Sequence, residues 1–224
     1  MYASNLQELL FYCSQHSDVS PQAFAEFTQR FNALRSYGHL PRGRDRRKQL
    51  LTPTQIASAI LGLVPTQPGW AGHGATILKS LSPVGGPKAG FYNTASLIEA
   101  IALMLTDAHA RNSLVAARIV LGQTGTNSTG AALLAYEHEG VRRQAFFMPH
   151  LAISLSQEGR ESTFDFESYL SSFASREMRF GRSFFNRVGQ AMDNAARFHS
   201  EPAGDGSEYD DEEAQQAQCH LSAK

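Results

Sequence analysis

Cysteine is scarce in this chain: Cys13 and Cys219 are the only two among 224 residues, too few for a disulfide framework. That scarcity predicts a reducing, cytoplasmic compartment and a fold held by its core. No stretch approaches 18 consecutive apolar residues and no basic leader precedes an apolar run, so neither membrane spanning nor secretion is expected. The eight histidines, at 16, 39, 73, 109, 138, 150, 199 and 220, show no His-x3-His spacing, and no Cys-x2-Cys pair exists. No metal and no cofactor is expected on that pattern. Acids are missing from one region in particular: between residues 27 and 90 nine Lys and Arg face a single acid, Asp45.

The residues that are present describe a folded protein, with 42% hydrophobic and 10% aromatic content. The net charge of -1 averages two unlike regions. Residues 201–224 hold seven acids and one base, Lys224, whereas residues 1–200 hold 19 bases and 14 acids, a net of +5. A basic body thus carries an acidic tail, and the tail offers too little apolar surface to offset its ordering entropy.

Hydrophobic spacing predicts a first helix over residues 4–16, through Leu6, Leu9, Leu10 and Cys13. Ser20 and Pro21 suit the cap and first position of a second, over 21–37, with Phe24, Phe27, Phe31 and Leu34 as its buried stripe. Gly38 should stop it and Pro41 prevents continuation. Thr52-Pro53 should open a third helix through residue 64. The Gly- and Pro-rich stretches 66–74 and 83–90 read as loops or a connector around a short helical piece at 75–81, and Thr94 as the cap of an apolar helix over 95–107. From Ser113 the period changes, and strands are expected at 114–121, 131–138 and 141–150, the last two joined by a tight turn at Glu139-Gly140. Residues 151–155 should extend the sheet, 163–174 are ambiguous, 176–180 read as a short strand, and 182–198 as a final amphipathic helix. The expected fold class is α+β: a helical, winged helix-turn-helix-like domain over residues 1–110, a small antiparallel β-sheet with a C-terminal helix over 111–199, and a disordered acidic tail over 200–224.

Between the second and third helices lies Arg42-Gly43-Arg44-Asp45-Arg46-Arg47-Lys48, five cations in seven residues. Like charges held this close repel unless an anion lies against them, and Arg forks with a Lys point charge suit phosphate oxygens. Taken alone the run is equally a solvated loop. On the preceding helix, Gln29, Arg30, Asn32 and Ser36 lie away from the Phe stripe, and Arg35 and Tyr37 approach its basic end. Gln, Asn and Arg read base edges, and Arg, Tyr and Ser bind phosphates. An ordinary solvated helix face has the same composition, and the adjacent basic loop turns the reading toward duplex DNA. The expected binding residues are therefore Gln29, Arg30, Asn32, Arg35, Tyr37, Arg42, Arg44, Arg46, Arg47 and Lys48.

The run Leu34-Arg35-Ser36-Tyr37-Gly38-His39-Leu40-Pro41-Arg42-Gly43-Arg44, followed by Leu51-Thr52-Pro53, resembles the N-terminal segment of uncharacterised proteobacterial and prophage-associated proteins. Those read Leu-Arg-x-x-Gly-Leu-Leu-Pro, a Gly- and Arg-rich stretch, then Leu-Thr-Pro; His39 stands where their pattern has an apolar residue. The same stretch is distantly similar to the recognition helix and wing of MerR-type regulators. Over residues 17–64 the resemblance implies a DNA-binding architecture and a regulatory protein of phage or mobile-element origin.

Other motifs leave alternatives open. The run from Gly122 to Gly130 reads as an anion-binding nest or a flexible turn, and Trp70, the only tryptophan, beside His73 as a base-stacking or partner anchor or as a loop residue packed down. Cys13 reads as a core residue, and Glu137-His138-Glu139 alternates across a strand, so no catalytic constellation is expected. A protein-interaction module whose basic loop meets an acidic partner is the alternative to DNA binding, and a nucleic-acid-processing enzyme the third class. Pairing of two copies through the C-terminal domain would supply two half-sites.

Overall fold

Apolar residues three and four apart cannot all leave water unless the helices carrying them stack, and the first three helices do so. In the computed structural model, residues 1–14, 20–42, 49–122, 129–150, 166–171 and 175–200 are described. Helix α1 (Ala3–Ser14) buries Leu6, Leu10 and Phe11. Helix α2 (Pro21–Ser36) is capped by Ser20, whose side chain accepts from the Ala23 amide at 3.2 Å, and buries Phe27, Phe31 and Leu34. Phe24, at the edge of that stripe, packs edge-on to Phe11 at 5.2 Å. Helix α3 (Pro53–Leu61) opens with a capping box between Thr52 and Gln55, and Ile56 through Leu61 are buried all round, which makes it the central helix.

Helix α4 (Ala71–Lys79) begins earlier than the sequence pattern suggests, because Gly72 and Gly74 lie inside it. A Cβ on Gly72 would come within 2.5 Å of the Ala33 carbonyl oxygen and the Tyr37 ring, and one on Gly74 within 2.4 Å of Pro65. Each glycine costs a helix about 1 kcal/mol of propensity; here the missing side chains let α4 lie directly on α2 and under the end of the sheet. Helix α5 (Leu97–Thr106) also departs from expectation, starting after Ser96 rather than Thr94. Tyr92 and Asn93 turn the chain through the left-handed region, at φ +48° and +64°, and the Thr94 hydroxyl donates to the Phe91 carbonyl instead of capping α5. A short helix α6 (Ala108–Ser113), which the periodicity does not announce, follows at once, with Asp107 accepting from the His109 and Ala110 amides at 2.7 and 3.1 Å.

Strands β1 (Ser82–Pro83), β2 (Leu114–Gly122), β3 (Gly130–His138), β4 (Val141–Met148) and β5 (Ser175–Gly181) pair antiparallel in the order β1-β4-β3-β2-β5. The α+β class holds. The expected strands at 114–121, 131–138 and 141–150 are present, and Glu139 and Gly140, at φ +53° and +74°, form the tight turn. Period-two alternation sends Ile119, Leu121, Ala132 and Leu134 to the helices, and Val120 and Ala131 to the other face, under Phe166 of helix α7 (Phe166–Ser171). On that outer face Arg118 grips Glu177 with both arms of its guanidinium, at 3.1 and 2.8 Å, reaches Glu167, and lies 5.5 Å from the Phe166 ring.

Helix α8 (Arg182–Ser200) closes the helical side of the sheet through Phe185 and Val188. Gly189 leaves space for the Arg111 guanidinium, which donates to the Leu105 carbonyl at 2.9 Å and pairs with Asp193 at 3.5 Å. One apolar core runs from Met1 to Val188, so the change of period at Ser113 marks a change of secondary structure across a continuous core. The expected strand extension at 151–155 and the acidic tail lie outside the described residues. No helix among the described residues is long and apolar enough to cross a membrane.

Candidate nucleic-acid interface

The stop that Gly38 imposes on α2 organises this region. With Gly38 at φ +79°, the Gly38 and His39 amides return to the Arg35 and Leu34 carbonyls at 3.1 and 2.9 Å, the paired bonds of a Schellman motif. The motif leaves Tyr37 on the surface, 51% exposed, and turns His39 inward. His39 Nε2 lies 3.0 Å from the Gly72 carbonyl oxygen and 3.0 Å from Thr76 Oγ1, which ties the chain after α2 to α4. A carbonyl only accepts, so Nε2 carries the proton. Burial pushes the His39 pKa below its ordinary 6.5, against the opposing effect of the Gly72 bond. The residue that departs from the resembling pattern is thus a buried tether.

Gln29, Asn32 and Ser36 stand exposed along one face of α2, as the spacing predicts. Asn32 holds the Arg35 guanidinium through its side-chain oxygen at 2.8 Å, and Arg35 lies 5.9 Å from the Phe31 ring. Arg30 differs from the expectation that it reads base edges. It turns toward the segment after α3 and donates to the Pro65 and Thr66 carbonyls at 2.6 and 2.8 Å. Burial, and then the nearby charge of Arg176, lower its pKa. Arg42 folds back over the end of α2 and donates to the Arg35 and Ser36 carbonyls, where the helix dipole favours a cation. Arg44, Arg46, Arg47 and Lys48 lie outside the described residues. The connection between α2 and α3 spans residues 37–52, longer than the turn of about three or four residues in a helix-turn-helix.

Tertiary structure adds two aromatic groups to this surface, Trp70 just before α4 and His73 on it. His73 stands between Tyr37 and Trp70, 6.2 Å from one ring and 6.0 Å from the other, and Trp70 is 44% exposed. Tyr37, at the C-terminal cap of α2, faces this row, so the end of the polar face of α2 and a row of aromatic rings share one surface. The Trp-x-x-His spacing in residues 70–73 was a legible signal for the ring pair; the approach of Tyr37 depends on Gly72 and was not.

A second polar cluster lies at the far end of β3. The Tyr92 ring is 4.9 Å from His138, 5.6 Å from Tyr136 and 6.0 Å from His109. Among the described residues, Tyr92 Oη and His138 Nδ1 are buried without a hydrogen-bond partner. Glu139 sits in the turn rather than on the strand, which brings its carboxylate 4.0 Å from His138 and 3.8 Å from Arg143. Strand alternation therefore does not separate His138 from Glu139. No group of three or more His, Cys, Asp or Glu among the described residues is placed to hold a metal ion. Compared with known protein families, with characterised proteins and with solved structures, the chain matches none.

Proposed function

We propose that the protein binds nucleic acid, contacting phosphates through the basic segment 42–48 and bases through the exposed end of α2, in the regulatory role that the resemblance to prophage-associated and MerR-type proteins implies. The observation that carries this reading is the Schellman stop at Gly38, which exposes Tyr37 beside His73 and Trp70 and leads the chain directly into that segment. The unit is a helix-turn-helix variant in which the long connection after α2 replaces the short turn, with α3 as its buried support. Gln29 and Asn32 are the base-reading candidates on α2; Arg30 supports the surface from behind and Arg42 holds the end of the helix.

The test is binding to duplex DNA as a function of salt, for the natural chain and for a variant with Arg42, Arg44, Arg46, Arg47 and Lys48 neutralised. The natural chain should bind with a steep inverse dependence on salt, and the variant's log–log slope should be shallower by about 0.9 for each phosphate it no longer neutralises. Absence of binding to any nucleic acid by the folded chain would instead favour a protein-interaction module that presents the same basic segment to an acidic partner.

A further inference from the structure

A cleft of about 260 Å³ opens where the helices meet the end of the sheet, lined among others by Pro65, Gln67, Trp70, Leu121, Gly122 and Arg176. It joins the Trp70 segment to Leu121 and Gly122 at the end of β2, residues distant in the chain. Its construction is traceable residue by residue. The absent side chain of Gly74 lets Pro65 and Leu121 close over α4. Arg30 clamps the Pro65 and Thr66 carbonyls and so fixes the rim. Strand register places Arg176 opposite Leu121.

The chemistry of the lining selects a ligand class. Buried Pro65 and Leu121 supply an apolar floor, and the half-exposed indole of Trp70 supplies a flat wall. The volume lies below the roughly 300–1,000 Å³ of pockets that enclose extended ligands, a scale that suits a single planar ring system. Among the described residues, Arg176 is the charged member of the lining, no carboxylate lines the cleft, and none pairs with Arg176. Arg30 adds a second positive charge behind the rim, held there by its bonds to the Gly62, Pro65 and Thr66 carbonyls, whereas Arg176 lines the cleft itself and is the cation an anion there would meet. Gln67 offers both a donor and an acceptor at the edge, the pairing that a base edge requires.

We infer that this cleft binds a nucleotide unit, its base stacked on Trp70 and its phosphate at Arg176, and that the occupant is an unpaired base of a strand. The inference deepens the nucleic-acid reading and rests on it for the strand; the stacking site itself stands on the cleft. Trp70 is the only tryptophan in the chain, so its fluorescence reports from this site alone.

The experiment titrates the full chain with an oligothymidylate, an abasic strand and a duplex of the same length, AMP, and phosphotyrosine, following Trp70 emission together with the anisotropy of labelled strand and duplex. The oligothymidylate should quench Trp70 while the abasic strand binds without quenching. Arg176→Gln should raise the concentration for half-quenching about tenfold, and Arg176→Lys should recover most of that loss, both with an unchanged thermal midpoint. Strand binding by anisotropy with Trp70 emission unchanged would overturn the cleft assignment and leave nucleic-acid binding standing. Quenching by AMP with no strand or duplex binding would keep the nucleotide site, make the free nucleotide its source, and remove the nucleic-acid reading. Tighter quenching by phosphotyrosine than by any nucleotide probe, or quenching by none, overturns the proposal.

Discussion

His39 illustrates how one side chain can carry both a fold and its pH dependence. Its ring bridges Gly72 and Thr76 in the neutral form, and burial holds its pKa below 6.5. The unfolded chain therefore takes up a proton that the folded chain resists. The resulting stabilisation is complete above about pH 6.5 and is lost as the pH falls through the depressed folded value. Thermal midpoints measured between about pH 7.5 and about pH 5 should fall more for the natural chain than for His39→Gln, which keeps a donor to Gly72 but does not titrate. Parallel falls would remove His39 as the source. At the same scale, the sequence placed Arg30 among the base readers because it is a cation off the Phe stripe. Which way a long side chain folds depends on what lies within its reach, and the Pro65 and Thr66 carbonyls arrive only through the tertiary fold.

At the scale of elements, Gly72 is the contact between α2 and α4. Gly72→Ala places a methyl within 2.5 Å of the Ala33 carbonyl and the Tyr37 ring, and backbone on one side leaves little to relax. We expect a loss of about 1–3 kcal/mol in chemical denaturation, with displacement of Tyr37 visible as weaker nucleic-acid binding under conditions where the variant is folded. A stability within about 0.5 kcal/mol of the natural chain would show that the helices slide apart at little cost. Elements with strong local signals were legible: Ser20-Pro21 and Thr52-Pro53 start helices, Gly38 ends one, and Glu139-Gly140 turns a hairpin, each through bonds made within a few residues. The start of α4 was not legible, since local propensity counts its glycines as helix breakers while their value lies in what packs against them. The start of α5 was misplaced for a related reason: Tyr92 and Asn93 adopt positive φ without a glycine to announce it.

For the whole molecule, charge is the relevant quantity. Residues 1–200 carry a net of +5, and residues 201–224 hold seven acids against one base. An acidic segment on the same chain competes with phosphate for basic side chains at high effective concentration. Deleting residues 201–224 should therefore tighten DNA binding at low salt, with the gain shrinking as salt screens both interactions; equal affinities for the two chains in low-salt titrations would dismiss the competition.

The sequence by itself determined the α+β class, most helix and strand positions, the polar face of α2 and the sites of concentrated charge, because periodicity, caps, turns and charge are local properties of the chain. Only the tertiary structure decided that one core crosses Ser113, that Arg30 faces inward, and that Tyr37, His73 and Trp70 share a surface ending at the cleft with Arg176. Those outcomes depend on close packing between segments distant in the chain, where a glycine's missing side chain or a neighbouring carbonyl matters and no local pattern records it.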